Sequence, residues 1–396
     1  MKTKVLSSVD SIIQEIKSNT DFDHSILHNL GNYLLIIDYS EFNNLPIDPT
    51  VSNVVNYIND YTYNSAKNQT LAEGYPSFFL ILSHLLKKGL IDTKALKNVA
   101  IQEIFLAATQ LQLKFKNYDL LYGATGILHS FLSFQRSGHI AKQIIDCYVS
   151  SLLNNKIYFN GGFALEDYYY RIREGKSAVN MGLAHGLPSI IKLLLEIQQI
   201  PGYKNRKDIG VLITGLCDFL IYSSIENKKI SNYGIYWNLD HPQLESSSRL
   251  GWCYGDLGIG LILYQAGIFL NDGKYVDHAL KILTATTYRR SKEDTQVGDA
   301  GLCHGSAGIM HIYNKLWMMS GELIFKNARD FWLSEVLNFT TDNGIEKFLK
   351  YNPIKKVWEN DVGFLEGSSG VGLALLSYVT NDVCWDYTLM LNDLKC

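Results

Sequence analysis

Apolar residues in this chain come in short dense stretches set off by glycine. Phe78 to Leu86 and Gly258 to Leu270 are the longest. After Gly126, apolar side chains fall at 127, 128, 131, 132 and 134, close to helical spacing. Arg136-Ser137-Gly138 then punctuates the chain, and Ile144, Ile145, Tyr148, Val149 and Leu152 follow on one helical face. Each such unit predicts a helix pair. Strand-like alternation is nowhere sustained.

The units repeat. Gly-x-x-Gly or Gly-x-x-Ser, followed by an apolar run, occurs at Gly123-Ala124-Thr125-Gly126, Gly186-Leu187-Pro188-Ser189, Gly255-Asp256-Leu257-Gly258, Gly305-Ser306-Ala307-Gly308 and Gly367-Ser368-Ser369-Gly370. Degenerate copies begin at Gly31 and Gly74. The seven first glycines lie 43 to 69 residues apart, so a loose repeat fills the chain. Seven helix pairs could stack in a line or close into a ring. Glycine where a loop enters an apolar helix favours the ring, because it lets helix ends crowd and backbone N–H groups face a central cavity. The loops would then collect on one rim and bring distant residues together.

Composition narrows the function. With 47% apolar and 19% charged residues, a net charge of −3 and only 7 prolines, the chain is a folded helical protein. Disorder, a polybasic nucleic-acid binder and a long coiled coil are excluded. No apolar run reaches the roughly 18–20 residues of a membrane span. Asp10, Glu15 and Lys17 interrupt any signal-peptide core, so the expectation is a cytoplasmic protein with reduced thiols.

Reactive residues adjoin three consecutive phrases: His185 before Gly186, Cys253 before Gly255, and Cys303-His304 before Gly305. Thiolate and imidazole are zinc ligands, and three of them leave the open position of a catalytic site. Cys147, Cys217 and Cys384 are expected to be buried small apolar residues, and Cys396 solvated. His24, His28, His84, His129, His139, His241, His278 and His311 are expected to be satisfied core or surface side chains. A toroidal glycosidase using Asp256 and Glu366 is an alternative, but it leaves the Cys/His set unexplained.

Asn180-Met181-Gly182-Leu183-Ala184-His185-Gly186, Trp252-Cys253-Tyr254-Gly255, Cys303-His304-Gly305, Phe364-Leu365-Glu366-Gly367-Ser368-Ser369-Gly370 and Tyr118-Asp119 together resemble the LanC family of lanthionine cyclases. The resemblance covers essentially the whole chain. It implies an all-α double α/α toroid of seven inner and seven outer helices, formed by residues 1–396 as one domain. It also implies one zinc ion held by Cys253, Cys303 and His304, an acid–base pair of His185 and Asp119, and further active-site positions at Arg249 and Tyr254.

The implied reaction adds cysteine thiols of a dehydrated precursor peptide to dehydroalanine or dehydrobutyrine, giving thioether rings. A chain of this length leaves no room for a dehydratase domain. A separate dehydratase and an export transporter are the implied partners, with peripheral attachment at the inner membrane face through that complex and no nucleic acid. Other readings within the family are addition of glutathione or another thiol to dehydroamino acids, or a non-catalytic zinc toroid that binds peptide.

Overall fold

The computed structural model describes residues 1–18, 26–46, 69–91, 99–225, 230–240, 247–339, 348–352 and 354–394. Seven helices form a closed inner ring: Ile26–Phe42, Pro76–Lys87, Ala124–Phe134, Leu187–Gln199, Asp256–Leu270, Ser306–Ser320 and Ser368–Thr380. Each packs on the next, and Ser368–Thr380 returns to Ile26–Phe42. Six outer helices are described: Lys2–Ser18, Val99–Lys114, His139–Asn155, Lys207–Ser223, Gly273–Thr286 and Leu323–Asn338. The expected seventh outer helix lies outside the described residues. The fold is an α/α toroid.

The two layers differ in sequence as their surroundings require. Asp256–Leu270 is buried on every side from Asp256 to Gly267. Its neighbour Gly273–Thr286 buries only a stripe, Tyr275, Ala279, Ile282, Leu283 and Thr286, and turns its other faces to solvent. The N-terminal helix Lys2–Ser18 packs outside Ser368–Thr380 and so joins the two ends of the chain. Three antiparallel ribbons of three-residue strands also occur, Ile157–Phe159 with Gly162–Ala164, Ala178–Asn180 with Tyr236–Asn238, and Lys350–Asn352 with Val357–Glu359. They are too short to register as alternation in the sequence.

The glycine phrases do begin inner helices, but for a different reason than helix crowding. The loops before Ala124–Phe134, Ser306–Ser320 and Ser368–Thr380 fold back over the first turn of the helix they precede. Ser306, Ala307 and Gly308 donate their N–H groups to the carbonyls of Asp299, Ala300 and Gly301 at 3.1, 3.1 and 3.4 Å. These helix N–H groups therefore cap onto their own loop and do not face a cavity. A Cβ at Gly308 would overlap the Leu302 carbonyl, which cannot move aside without breaking that cap. Gly255 meets a different need: its φ of +100° lies in the region that L side chains avoid. Gly31 departs from the pattern. It sits five residues inside its helix, where its missing side chain admits Phe364 and Ser369 of the last phrase.

A ring of seven helices leaves a hole on its axis. The segment after the last inner helix, a 3₁₀ turn at Cys384–Leu389 followed by residues 390–394, fills it. Inner helices reach inward to hold it. His129 Nε2 lies 2.8 Å from the Tyr387 carbonyl, and Lys192 donates to the Asn392 carbonyl at 2.6 Å. Gln265 donates to the carbonyls of Leu391 and Asn392 at 3.3 and 3.2 Å. Tyr387 in turn donates to the Leu80 carbonyl. At the centre, Asp386 lies 3.2 Å from both Lys315 and His311. Burial opposes the Asp386 carboxylate, yet Lys315 and His311 hold its pKa below the ordinary range. Thus His129 and His311 are buried in the core as expected, each bonded through Nε2 but with no hydrogen bond at Nδ1 among the described residues, while the exposed Cys384 is not the buried residue expected. His24, His241 and Cys396 lie outside the described residues.

Removing one member of a buried ion pair strands the other, typically at a cost of about 3–5 kcal/mol, whereas removing both costs less. Lys315→Met should therefore destabilise the protein more than Lys315→Met combined with Asp386→Leu. Chemical denaturation midpoints of the two variants check this; equal losses would mean that ion pairing does not hold the segment.

Candidate metal centre and active site

The rim above this filled axis is built from one loop used repeatedly. Six residues before the first glycine of a phrase stands Asn117, Asn180, Asp299 or Asp361. Its side chain accepts the N–H two residues on, as Asn180 does from Gly182 at 3.0 Å and Asp361 from Gly363 at 2.7 Å. This turn aims the last residue before the glycine at the axis. That position holds Tyr122, His185, Tyr254, His304 and Glu366 in successive loops. The residue before it, in turn Leu121, Ala184, Cys253, Cys303 and Leu365, stitches the loops together.

The stitching is a line of backbone hydrogen bonds. Ala184 N–H donates to the Cys253 carbonyl at 3.3 Å, Cys253 N–H to the Cys303 carbonyl at 3.2 Å, and Cys303 N–H to the Leu365 carbonyl at 2.7 Å. Farther round, Ala72 N–H donates to the Leu121 carbonyl at 2.8 Å. Between Leu121 and Ala184 the line changes character. Asp119 stands there, and its Oδ1 accepts the Leu121 and Tyr122 N–H groups at 2.6 and 2.8 Å. Its Oδ2 lies 2.7 Å from His185 Nδ1. A buried carboxylate thus joins these two loops where main chain joins the others.

The stitching brings Cys253, Cys303 and His304 together, with one ligand atom of each within 4.8 Å of the others. Tetrahedral zinc with bonds of about 2.0–2.3 Å needs its ligands roughly 3.3–3.8 Å apart, which a small closure of this set supplies. Two thiols and an imidazole from two neighbouring loops are the donor chemistry zinc takes. A bond from Cys303, together with His304 and Arg249, pulls the Cys253 thiol well below its ordinary pKa against the burial that raises it. Cys303 is pushed up by the same bond and by burial. Among the described residues Asp38, Glu41 and Asp382 also cluster, but the Lys88 ammonium already sits among them and pairs with all three.

The remaining candidates lie beside this centre. His185 is stacked against Tyr254, ring centroids 5.7 Å apart. Burial favours the neutral imidazole, but Asp119 outweighs it and raises the His185 pKa above its ordinary 6.5. Burial also raises the Tyr254 phenol, so it stays protonated. Arg249 is half-buried and contributes to the electrostatics of both thiols and His304. Asp256 is not on the rim surface. Its buried carboxylate accepts from the Asn232 and Tyr233 backbones at 2.9 and 3.0 Å, and it is spent there. Glu366 does line the rim and is paired with Lys350.

Two residues near the site escaped the sequence reading. Tyr122 stacks on the other side of His185, planes 3° from parallel at 6.3 Å. The signal was available, since Tyr122 holds the same offset from its glycine as His185 and Tyr254. Trp252, next to Cys253, is buried and donates its indole N–H to the Leu389 carbonyl at 2.9 Å. Nothing in the local sequence announces that partner, which lies 137 residues away.

A family model described as lanthionine synthetase C-like protein matches residues 24–390. The chain belongs to this family. Among curated proteins, this LanC-like chain is similar to the nisin biosynthesis protein NisC of Lactococcus lactis subsp. lactis, 24% identical over 423 residues, with 98% of the chain and 94% of the relative covered. Among solved structures it is similar to nisin cyclase, with a TM-score of 0.74 and 22% identity over 98% of this chain and 97% of that one. That likeness shows the fold.

Because Asp119 raises the His185 pKa, His185 holds its proton more tightly in the folded than in the unfolded chain. The resulting stability is fully present below the ordinary value of 6.5 and is lost as pH climbs through the raised folded value. Asp119→Asn should lower the His185 pKa, as followed by NMR titration of its imidazole signal. An unchanged titration would mean that the short contact to Asp119 carries no charge coupling.

Proposed function

We propose that this protein is a lanthionine cyclase, acting on the cysteine thiols and dehydroamino acids of a dehydrated precursor peptide. The observation that carries the reading is the convergence of Cys253, Cys303 and His304 beside the Asp119–His185 pair, in a LanC-like chain. The relatives whose names specify nisin biosynthesis and nisin cyclase support the same substrate class. The glycosidase alternative loses its first carboxylate, since Asp256 is buried and satisfied by backbone.

In the reaction the thiol gives up its proton and sulfur bonds to the β-carbon of the dehydroamino acid. The π electrons move toward the neighbouring carbonyl as an enolate, which takes a proton at the α-carbon. Cys253, Cys303 and His304 would hold one zinc ion, which when bound supplies a Lewis-acidic position that favours thiolate over thiol. Asp119 holds His185 through Nδ1 and leaves Nε2 as the nitrogen open to a reacting group. The raised pKa favours the protonated ring, the form needed to protonate the enolate. Tyr254 packs the imidazole in place, and Arg249 adds positive charge where the enolate forms.

In this reading residues 1–396 work as one unit. Dehydration is left to a separate dehydratase and export to a transporter, and the protein works in the cytoplasm, peripheral to the membrane through that complex. Among the described residues no helix is long and apolar enough to cross a membrane.

Elemental analysis should find one zinc per chain, lost in Cys253→Ala and Cys303→Ala while far-UV circular dichroism retains the helical signal. Full zinc in both variants would sink the ligand assignment. His185→Asn should keep the metal but slow ring formation by about 10²–10⁴-fold. Mass spectrometry after thiol alkylation counts rings formed on a dehydrated peptide. A variant within a few-fold of the parent would remove His185 from the proton transfers.

A further inference from the structure

Tyr122 is the inner end of a longer feature. From His185 the rings run outward without interruption: Tyr122 at 6.3 Å, Tyr169 at 6.0 Å from Tyr122, Tyr168 at 5.1 Å from Tyr169, and Phe115 at 6.2 Å from Tyr168. Phe115 is 47% exposed, Tyr169 39% and Tyr122 36%. A contiguous exposed apolar strip ending on a histidine is not ordinary surface, where large apolar residues are scattered singly.

The strip is held in shape without any occupant. Asn117 donates to the Tyr122 carbonyl at 2.9 Å and to the Tyr169 hydroxyl at 3.4 Å. The Tyr169 hydroxyl donates to the Tyr122 carbonyl at 3.4 Å. Arg171 stands 5.8 Å over the Tyr168 ring and donates to the Phe115 carbonyl at 3.3 Å. Its charge is matched by Glu166 at 2.9 Å, as that of Arg173 is by Glu174 at 2.7 Å. Arg171 and Arg173 are therefore paired, Lys114 and Lys116 flank Phe115 as exposed cations, and the strip itself offers aromatic surface.

We propose that this strip binds the stretch of peptide flanking the reacting cysteine, laid out in extended form with apolar or aromatic side chains at alternate positions. The assignment rests on the cyclase reading. An extended chain puts side chains of one face about 6.6–6.8 Å apart. The rings step by 5.1–6.3 Å, shorter than that repeat, and a strongly twisted extended chain, whose rise is reduced, brings alternate side chains closest to successive rings. Because the inner end is His185, the strip also sets how far along the peptide the reacting residue lies. The proteins's preference among cysteines is then partly a preference for what precedes or follows them.

The test uses two synthetic peptides, each with one dehydroalanine and one cysteine, flanked at alternate positions by phenylalanine in one and serine in the other. The parent protein should cyclise the phenylalanine peptide with at least a tenfold higher kcat/KM, carried mainly by KM. In Phe115→Ser combined with Tyr169→Ser the preference should fall to within about twofold. Circular dichroism and the melting temperature of that variant establish that it is folded. A preference that survives in the variant, or is absent from the parent, overturns the assignment while leaving the cyclase reading intact. A parent protein that closes a ring in neither peptide overturns the cyclase reading and the strip with it. A parent dimer that becomes a monomer in the variant, seen by sedimentation, reassigns the strip to self-association.

Discussion

The axial hole of the toroid is the constraint on which the rest depends. Seven helices side by side cannot meet at their common axis, and an unfilled axis would leave their inner faces without partners. Residues 384–394 supply those partners, and because this segment carries backbone carbonyls inward, the helices answer with donors. Lysine, histidine and glutamine on the inner faces of apolar helices are otherwise hard to explain, since buried polar groups are costly unless bonded. The same segment floors the rim. Trp252 rests on the Leu389 carbonyl, and Cys253 is the next residue.

On that floor one loop design is used again and again with different side chains. The Asn or Asp turn, the cap onto the following helix and the loop-to-loop hydrogen bonds are structural, and they free the two residues before each glycine to vary. Chemistry enters by substitution at those positions: cysteine and histidine in adjacent loops supply the donors of the candidate metal centre, and tyrosine or histidine in others line it. Asp119 is the exception that couples the two roles. One oxygen ties down its own loop and the other holds His185, so among the described joints a side chain bridges the Leu121 and Ala184 loops where backbone bonds bridge their neighbours.

Much of this was legible in the sequence because repetition leaves a trace. The glycines mark the inner helices, and the fixed offset of His185, Cys253, Cys303 and His304 from them puts those residues on one rim. Three features were not legible. The cap that several loops form on their own helix is a matter of backbone carbonyls, which carry no residue signature. The filling of the axis depends on contacts such as that of Lys192 with Asn392, 200 residues apart, to which periodicity is blind. Gly31 resembles the other phrase glycines in spacing, but it serves a contact between the first and last inner helices, a consequence of closure that no single repeat encodes.

The segment on the axis follows all seven inner helices along the chain, and this orders events in time. Its hydrogen bonds to Leu80, His129 and Lys192 close loops of 307, 258 and 200 residues. Contacts of such separation are late and slow to form, because the entropy of the loop must be lost before the contact repays it. Helix pairs can assemble locally beforehand, but the floor under Trp252 is laid only when the ring is complete. The cysteine–histidine centre is therefore a product of the last stage of folding. A chain halted short of closure carries the same three residues without the geometry that brings them together.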